Sequence, residues 1–475
     1  MSTCCNDNAR NGAYDLAVVG AGSAGFSAAI TAAEQGAKVA LIGHGTIGGT
    51  CVNVGCVPSK TLIRAAQSLH HAEAAARFAG IRGEARLDDW PSLVAQKDEL
   101  VAGLRQAKYA DLLPAYNTIA YLEGPARLAP EGIRANGELL SVGKTIVTTG
   151  ASAARPSIPG SEDVSYLTST TALELEELPR SMLVIGGGYI GCELAQLFAR
   201  AGVRVTLVCR SRLLPEGEPE ISESLADYLR EEGIEVHTGV TYRQIRRSGN
   251  GIALDAARNG GEEALAAEVV LAATGRRPNT EGLGLAEVDV AVASNHGILV
   301  DDHLRTSNPT IYAAGDVTGR HQFVYMAAYG AKLAALNALN GDAHRYDATA
   351  MPMVTFTDPQ VASVGLTEAA ARAAGLEVNT SVLPLDAVPR ALAARDTRGL
   401  IKLVADRASD RLLGAHILAP EGADSIQTAA LAIKHGMTAR ELGETIFPYL
   451  TTVEGLKLAA LSFDKDVKKL SCCAG

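Results

Sequence analysis

The sequence lacks three features, each of which would assign it to a broad class of protein. No apolar run approaches the roughly 18–20 residues of a membrane-spanning helix, and the polar first eleven residues contain no hydrophobic core of a secretion signal. No long basic run accompanies the formal charge of -10, which argues against nucleic acid as the main partner. These absences predict a cytoplasmic protein without stable membrane association.

The composition that remains is typical of a well-buried globular enzyme. The chain has 475 residues, of which 47% are hydrophobic and 20% charged, and it contains 48 glycines. This length allows about three domains, and the glycines indicate many tight turns. Eight cysteines in so long a chain do not form a structural disulfide framework, and six of them fall into three close pairs. Close pairing favours redox or soft-metal chemistry.

Two segments have the pattern of a dinucleotide-binding βαβ unit. In the first, a predicted strand at 14–20 leads through Gly20, Gly22 and Gly25 into an alanine-rich helix to about 35, and a strand at 38–42 follows. In the second, a strand from 181 leads through Gly186, Gly188 and Gly191 into a helix to about 201, before a strand at 203–209. Such glycines let the backbone approach a pyrophosphate at a helix N-terminus. Two copies predict two bound dinucleotides.

The rest of the chain shows domain boundaries and a different pattern near its end. Predicted buried strands at 146–150 and 269–275 both end in Thr-Gly turns, which suggests that the chain crosses between domains there. Alanine and leucine spacing predicts helices at 66–80 and 97–110. Beyond residue 347, alternating apolar strands and helices indicate a separate α+β domain. The predicted fold class is α/β, with two Rossmann-like dinucleotide-binding domains and a C-terminal α+β domain.

Residues 48–60 place Cys51 and Cys56 five positions apart, between a glycine-rich turn and an apparent helix. Residues five apart in a regular helix lie on different faces, so Gly55 is expected to let the backbone close the loop and bring the thiols within disulfide range. Pro58 suits the first turn of the following helix. The pair predicts electron-transfer chemistry.

These motifs, together with residues 274–279 and 314–316, resemble the pyridine nucleotide-disulphide oxidoreductases over nearly the whole chain. The resemblance implies FAD on the first βαβ unit, a nicotinamide dinucleotide on the second, and a homodimer whose last domain completes the partner's active site. It also implies a division of the chain into a flexible tail at 1–13, an FAD-binding domain at 14–150 and 276–346, an NADPH-binding domain at 151–275, and a dimerisation domain at 347–475.

The resemblance assigns roles to residues by position. Cys56 is expected against the flavin as a thiolate and Cys51 as the outer thiol, and both a helix N-terminus and Lys60 would lower a thiol pKa. Lys60 is expected beside the flavin ring in an ion pair with Glu193, and Tyr189 over the nicotinamide pocket. The residues expected to line FAD are Gly20, Gly22, Gly25, Gly45, Thr50, Ala151, Asp316 and Val324, and those expected to cradle the second dinucleotide are Gly186, Gly188 and Gly191.

In both βαβ units, the second strand ends without the acid that commonly binds the adenosine ribose. Gly43 stands where an acid is expected to bind the adenosine ribose of the first dinucleotide. Either FAD is bound more weakly, or the ribose contacts water or another residue. In the second unit no acid follows Val208, and Arg210 and Arg212 could hold a 2′-phosphate, which favours NADPH. Two solvated loop arginines are the alternative.

The C-terminal region bears on the substrate. Relatives that reduce an organic disulfide use a His-Pro segment of the partner subunit as proton donor, whereas this chain has Phe447, Pro448 and Tyr449 there. The tail ends with Cys472 and Cys473, whose Cα atoms would lie only about 3.8 Å apart, below the usual disulfide range. Two neighbouring thiolates suit a soft cation better.

Within the family, this combination resembles the mercury(II)-reducing branch, in a form without the N-terminal metal-binding domain. The implied mechanism passes electrons from NADPH through FAD to Cys51 and Cys56, which receive Hg(II), arriving as thiol complexes, from the partner subunit's Cys472 and Cys473. The partner subunit's Tyr449 is expected near the metal.

Several alternatives stay open at this point. A large thioredoxin reductase also uses a C-terminal redox pair but needs the absent histidine, and a protein that only sequesters Hg(II) would not need two dinucleotide sites. Cys4 and Cys5 either capture metal or belong to a plain polar tail. Cys192 and Cys209 fit buried structural positions.

Overall fold

The computed structural model describes residues 14–258, 260–466 and 469 of the chain. The helices are, in chain order, α1 (Ser23–Glu34), α2 (Gly49–Val54), α3 (Cys56–Ala74), α4 (Trp90–Lys108), α5 (Ser169–Ala172), α6 (Tyr189–Arg200), α7 (Pro219–Glu231), α8 (Val324–Asn340), α9 (Glu368–Ala373), α10 (Pro389–Ala394), α11 (Gly422–Lys434), α12 (Ala439–Glu444) and α13 (Glu454–Leu461). The strands are β1 (Tyr14–Val19), β2 (Val39–Gly43), β3 (Ile119–Glu123), β4 (Ala126–Ala129), β5 (Gly132–Ala135), β6 (Glu138–Leu140), β7 (Val142–Val147), β8 (Ala151–Ala153), β9 (Ser181–Ile185), β10 (Arg204–Val208), β11 (Glu235–His237), β12 (Thr241–Ser248), β13 (Gly251–Arg258), β14 (Gly261–Ala267), β15 (Val269–Ala272), β16 (Arg276–Pro278), β17 (Ile311–Ala313), β18 (Pro352–Thr355), β19 (Gln360–Gly365), β20 (Val378–Pro384), β21 (Leu400–Asp406) and β22 (Leu412–Ala419).

The chain divides into two compact units. The first unit comprises the described residues up to Ser59, together with Val94–Ala154 and Gly275–Asp347. The second unit comprises Lys60–Leu93, Arg155–Thr274 and the described residues from Ala348 onwards. The expected boundaries of the FAD-binding, NADPH-binding and dimerisation domains stay predictions.

The first unit is built on a parallel sheet with the strand order β17-β7-β1-β2-β3. Its central strand is apolar throughout its interior, and Leu16, Ala17 and Val18 are fully buried, as expected of a parallel strand covered on both faces. Helix α1 packs beside α8, where the Ser27 hydroxyl donates to the carbonyl oxygen of Ala328 at 2.8 Å. The loops that follow β1, β7 and β17 therefore meet at one carboxyl edge of the sheet.

The second unit contains a parallel sheet, β11-β10-β9-β15, and an antiparallel five-stranded sheet, β18-β19-β22-β21-β20. Helix α6 follows β9 and buries every residue from Gly191 to Phe198. On the five-stranded sheet, Ile426 of α11 and Leu456 of α13 join the buried cluster. The predicted fold class, two Rossmann-like units followed by an α+β domain, is confirmed.

Several predicted elements differ from the structure at their ends. The helix expected at 97–110 is α4, which begins at Trp90 and ends at Lys108, and the strand expected at 269–275 is β15, which ends at Ala272. The helix expected at 66–80 is α3, which begins at Cys56 and ends at Ala74, because its first turn contains the cysteine motif rather than alanine and leucine spacing. The strand expected at 146–150 is β7, which begins at Val142 and ends at Val147. In the described part of the chain, no helix has both the length and the apolar character that crossing a membrane requires.

Candidate active site

The cysteine segment is shaped by two glycines. Gly48 has φ +94° and precedes α2, which carries Cys51. At Gly55, between α2 and α3, a Cβ atom would lie 2.9 Å from the carbonyl oxygen of Thr50 and 3.3 Å from the Cα atom of Cys51. A larger residue would force these backbones apart, so Gly55 permits the close turn before Cys56, as expected. Both cysteines are partly exposed.

Backbone contacts join this segment to the first glycine loop. The amide of Gly48 donates to the carbonyl oxygen of Ala21 at 2.9 Å. A Cβ atom on Gly49 would lie 2.7 Å from the Cα atom of Gly22, closer than real Cβ contacts allow. The start of α2 and the dinucleotide motif after β1 therefore form one continuous surface.

An amide side chain that the sequence analysis did not single out holds the segment together. Asn53 Nδ2 donates to the carbonyl oxygens of Ile47 at 2.9 Å and Gly49 at 2.8 Å. Arg105 in turn donates to Asn53 Oδ1 at 3.1 Å. These bonds link the cysteine helix to α4. An isolated asparagine between two cysteines gives no sequence signal for such a role.

Tyr109, directly after α4, is the main functional candidate that sequence reasoning missed. Its hydroxyl shares a 3.0 Å hydrogen bond with Ser23 Oγ, and its ring packs edge-on against Phe26, with centroids 4.9 Å apart. Burial raises the pKa of Tyr109, the Ser23 bond lowers it, and charge at Cys51 and Cys56 raises it further. A Cβ atom on Gly48 would lie 3.1 Å from Tyr109 Cδ2, so the Tyr109 ring packs against the turn that leads into the cysteine helix.

The glycines of the first motif fit a dinucleotide. Gly20 has φ +119°, and a Cβ atom there would lie 2.4 Å from the carbonyl oxygen of Thr148. A Cβ atom on Gly25 would lie 1.7 Å from the carbonyl oxygen of Gly20. Gly22 caps α1 without any side-chain hydrogen bond, so the first amides of the helix can receive a pyrophosphate.

Asp316 also fits the flavin dinucleotide. Its side chain is 20% exposed, and its carboxylate lies 3.8 Å from Arg276 Nε. Burial raises the pKa of Asp316, and Arg276 lowers it by less. A buried carboxyl with one distant cation suits a ligand hydroxyl. Arg276 also donates to the carbonyl oxygen of Ala151, another expected FAD neighbour.

The other residues expected to line FAD lie in the same unit. Gly45 and Thr50 are exposed between β2 and the first turn of α2, and Val324 begins α8. Their individual roles stay predictions.

The second motif repeats the backbone geometry of the first. Gly186 has φ +122°, and a Cβ atom there would lie 2.2 Å from the carbonyl oxygen of Ala273. A Cβ atom on Gly191 would lie 1.8 Å from the carbonyl oxygen of Gly186, whereas one on Gly188 would have no heavy atom within 4 Å. The open space at Gly188, at the start of α6, fits a second pyrophosphate.

The ion pair expected between Lys60 and Glu193 is present in the second unit. Lys60 Nζ lies 2.7 Å from Glu193 Oε2, and the two side chains are 35% and 6% exposed. The amide of Phe356 donates to Glu193 Oε1 at 2.9 Å, and Lys60 Nζ lies 5.0 Å from the centroid of the Phe356 ring. Both carboxylate oxygens are thus engaged, so the buried charge of Glu193 is compensated.

The remaining residues expected at the second dinucleotide differ in their contacts. The Tyr189 hydroxyl lies 3.5 Å from Met353 Sδ, and burial raises the pKa of this phenol. Arg210 is exposed beyond the end of β10. Arg212 donates to the carbonyl oxygens of Pro215 and Gly217 at 2.8 and 2.7 Å, so it also holds its own loop.

The region before α13 exposes apolar side chains. Ile446 is 94% exposed, and Tyr449 and Leu450 are also exposed, whereas Phe447 packs against the apolar cluster of the five-stranded sheet. Cys4, Cys5, Cys472 and Cys473 lie outside the described residues.

Two other cysteines provide a contrast with the redox pair. Cys192 and Cys209 are 0% and 5% exposed, which confirms their predicted burial. Burial raises the pKa of both thiols. They are therefore poorly suited to bind metal as thiolates.

Comparison with protein families identifies the chain. Residues 14–331 match the family model described as pyridine nucleotide-disulphide oxidoreductase, and residues 351–460 match its dimerisation domain. The chain belongs to the pyridine nucleotide-disulphide oxidoreductase family. Family membership supplies a flavin and a nicotinamide dinucleotide as cofactors, in agreement with the two glycine motifs.

Members of this family with curated names include close relatives of the chain. A mercuric reductase of Streptomyces lividans is 48% identical over 469 residues, which cover 97% of this chain and 98% of the relative. One of Lysinibacillus sphaericus is 49% identical over 97% of this chain and 85% of the relative. The expected resemblance to the mercury(II)-reducing branch is thereby confirmed.

A solved structure shares the fold. The HOCl-induced flavoprotein disulfide reductase RclA of Escherichia coli, in its Cu(II) complex, has a TM-score of 0.83 and 30% identity, covering 94% of this chain and 99% of that protein.

Proposed function

We propose that this oxidoreductase reduces Hg(II) to Hg(0) with electrons from NADPH, through Cys51 and Cys56, and so detoxifies mercury in the cytoplasm. The observation that carries the proposal is the 48% identity with the Streptomyces lividans mercuric reductase, which extends over nearly the full length of both chains. The balanced reaction is NADPH plus Hg(II) giving NADP⁺, one proton and Hg(0).

Bound FAD would relay the two electrons from the nicotinamide to the metal side of the site. Cys51 and Cys56 hold Hg(II) as a pair of soft thiolates. Cys56 is the first residue of α3, a helix of 19 residues, and a helix N-terminus favours negative charge there. Hg(0) has little affinity for thiolate and leaves.

The Tyr109 phenol and the ion pair of Lys60 with Glu193 also have roles in the proposed mechanism. The Tyr109 phenol stays protonated at neutral pH and can offer a hydrogen bond to a thiolate that is not bound to metal. The ion pair of Lys60 with Glu193 adjusts the electronics of the flavin ring in our proposal, because it fixes a positive charge whose counter-ion is buried.

Delivery of the metal involves a second copy of the chain. The dimerisation-domain match over 351–460 and the exposed apolar side chains at 446, 449 and 450 support a homodimer. In this arrangement the partner subunit's Cys472 and Cys473 pass Hg(II) inward, and the partner subunit's Tyr449 lies near the metal.

The exposed Arg210, with Arg212, would hold the 2′-phosphate of NADPH.

Steady-state turnover tests the proposal and its competitors. NADPH oxidation is measured with Hg(II) in excess thiol, and separately with an oxidised protein disulfide. We expect NADPH oxidation to be stimulated by Hg(II) in excess thiol and not by the protein disulfide. Cys51→Ser and Cys56→Ser should each abolish this stimulation while the flavin absorbance is retained. Turnover with the protein disulfide but not with Hg(II) would instead support a thioredoxin reductase-like enzyme, and binding of Hg(II) without NADPH oxidation would indicate a sequestering protein.

A further inference from the structure

The missing acid at Gly43 has a structural cause on the neighbouring strand. Gly43 is buried at the carboxyl end of β2. A Cβ atom on Gly43 would lie 2.7 Å from Tyr121 Oη and 2.9 Å from Tyr121 Cε2. These distances are shorter than real Cβ contacts allow, so the phenol of Tyr121 occupies the space in which a side chain at position 43 would begin.

Strand register explains how the phenol reaches this point. Strands β2 and β3 are parallel, with Leu41 paired to Tyr121 and Gly43 paired to Glu123. Residues two apart on a strand share a face, so Tyr121 and Gly43 face the same side. The long side chain of Tyr121 extends along β3 to the carboxyl end of β2.

This point is where a βαβ unit binds the adenosine ribose. In that fold an acid at the end of the second strand accepts hydrogen bonds from ribose hydroxyls. The position lies beside the glycine loop, because a Cβ atom on Gly43 would also lie 2.7 Å from Ala21 Cβ. The Tyr121 hydroxyl therefore stands at the ribose-binding edge of the first motif.

The chemistry of the phenol suits a sugar hydroxyl. Burial raises the pKa of Tyr121, and the carboxylate of Glu123 raises it further, so the hydroxyl is protonated at neutral pH. A phenol can then donate one hydrogen bond and accept another. Within residues 14–258, 260–466 and 469, no protein group is hydrogen-bonded to this hydroxyl, although Tyr121 is only partly exposed.

We propose that the Tyr121 hydroxyl binds the adenosine ribose of FAD, in place of the acid that other chains of this fold carry at the end of the second strand. Tyr121 is then a cofactor-binding residue of this chain, and the ribose contact has moved from β2 to β3. The inference rests on FAD being the flavin cofactor, as proposed above.

Titration of the apoprotein with flavins tests this assignment. Wild type and Tyr121→Phe are titrated with FAD, with FMN, which has no adenosine, and with a 2′,3′-dideoxyadenosine analogue of FAD, while quenching of flavin fluorescence is followed. We expect Tyr121→Phe to raise the dissociation constant for FAD about three- to tenfold, the usual range for losing one neutral hydrogen bond. The constants for FMN and the dideoxy analogue should be unchanged.

A matched control is available at the opposite end of the same strand. Tyr116 precedes the amino end of β3, away from the dinucleotide edge, and Tyr116→Phe should leave all three constants unchanged. Equal FAD affinity in Tyr121→Phe and wild type would overturn the inference, as would an equal loss of affinity for all three flavins. If the wild-type apoprotein bound no FAD, the proposed cofactor itself would be wrong.

Exchange of the two positions provides a second test. Gly43→Glu alone should weaken FAD binding at least tenfold, because its Cβ atom would meet both the Tyr121 phenol and Ala21 Cβ. Adding Tyr121→Val and Ala21→Gly to Gly43→Glu removes both obstructions and restores an acid, so FAD affinity should recover. Failure of this triple variant to exceed Gly43→Glu in FAD affinity, with thermal unfolding of its apoprotein like that of wild type, would contradict the proposed equivalence of the phenol and the acid.

Discussion

The two glycine motifs have nearly the same backbone but different surroundings. Gly20 and Gly186 have φ values of +119° and +122°. The glycines that end the two motifs would place a Cβ atom 1.7 and 1.8 Å from a carbonyl oxygen of the same loop. The strands that follow end differently, with Gly43 under the Tyr121 phenol in the first unit and the exposed Arg210 in the second.

This difference separates two tasks. In our proposal the shared backbone binds the pyrophosphate, which every dinucleotide has, and the close contacts at Gly20, Gly25, Gly186 and Gly191 leave no space for a side chain there. The groups at the strand ends are proposed to contact the adenosine ribose, which carries a 2′-phosphate in NADPH but not in FAD. Duplicated backbone geometry thus indicates the class of ligand, and strand-end side chains indicate which member of the class is bound.

The largest effects are expected at the glycines that end the motifs. Gly25→Ala and Gly191→Ala each place a Cβ atom against a carbonyl oxygen, and we expect a loss of about 3 kcal/mol or more in the free energy of unfolding. Gly25→Ala should purify without flavin, whereas Gly191→Ala should keep flavin absorbance but lose its reduction by NADPH. Flavin content and anaerobic reduction measure this; loss of flavin in both variants would break the assignment of one ligand to each motif.

The helices after the two motifs also differ at equivalent positions, Ser27 in α1 and Glu193 in α6. Glu193→Gln leaves Lys60 without its counter-ion, and since Lys60 is partly exposed we expect a loss of about 1–3 kcal/mol in unfolding free energy. It should also shift the reduction potential of the flavin. Ser27→Ala is the matched control, because it removes only a hydrogen bond to Ala328. It should leave the reduction potential of the flavin unchanged. An unchanged potential in Glu193→Gln would remove the ion pair from our mechanism.

A smaller effect is expected at the end of β10. If Arg210 binds the 2′-phosphate, Arg210→Ala should raise KM for NADPH about 10- to 100-fold, the range for losing a charge-assisted bond, without changing KM for NADH. Arg204, exposed at the amino end of the same strand, serves as control through Arg204→Ala. Equal changes for both nucleotides would favour a merely solvated arginine.

The smallest effect concerns Asp316 in the apoprotein. Its folded-state pKa lies above the usual value, so the unfolded chain releases this proton first and stability falls as pH rises through the folded pKa. Asp316→Asn should therefore stabilise the apoprotein at pH 7 and have little effect below the usual carboxyl pKa. Denaturant unfolding at both pH values checks this, and weaker flavin binding by the same variant would show that the charge serves the ligand. An identical effect at both pH values would contradict the titration.

Sequence reasoning succeeded where a short motif determines local backbone geometry. The glycine motifs, the turn at Gly55 and the pair of Lys60 with Glu193 were all predicted. It missed Tyr109 and Tyr121, because each reaches its place through packing between elements far apart in the chain. Asn53 was missed because its bonds are made within a turn whose shape the sequence did not reveal. The sequence showed only that Gly43 lacks the expected acid, whereas the structure shows that the Tyr121 phenol of β3 fills the space beside it.

The central claim is that electrons from NADPH reach Hg(II) itself. The most direct measurement counts mercury vapour released against NADPH consumed, with Hg(II) supplied in excess thiol. Our account predicts one Hg(0) for each NADPH, and loss of both signals in Cys56→Ser. NADPH consumption without release of Hg(0) would contradict it.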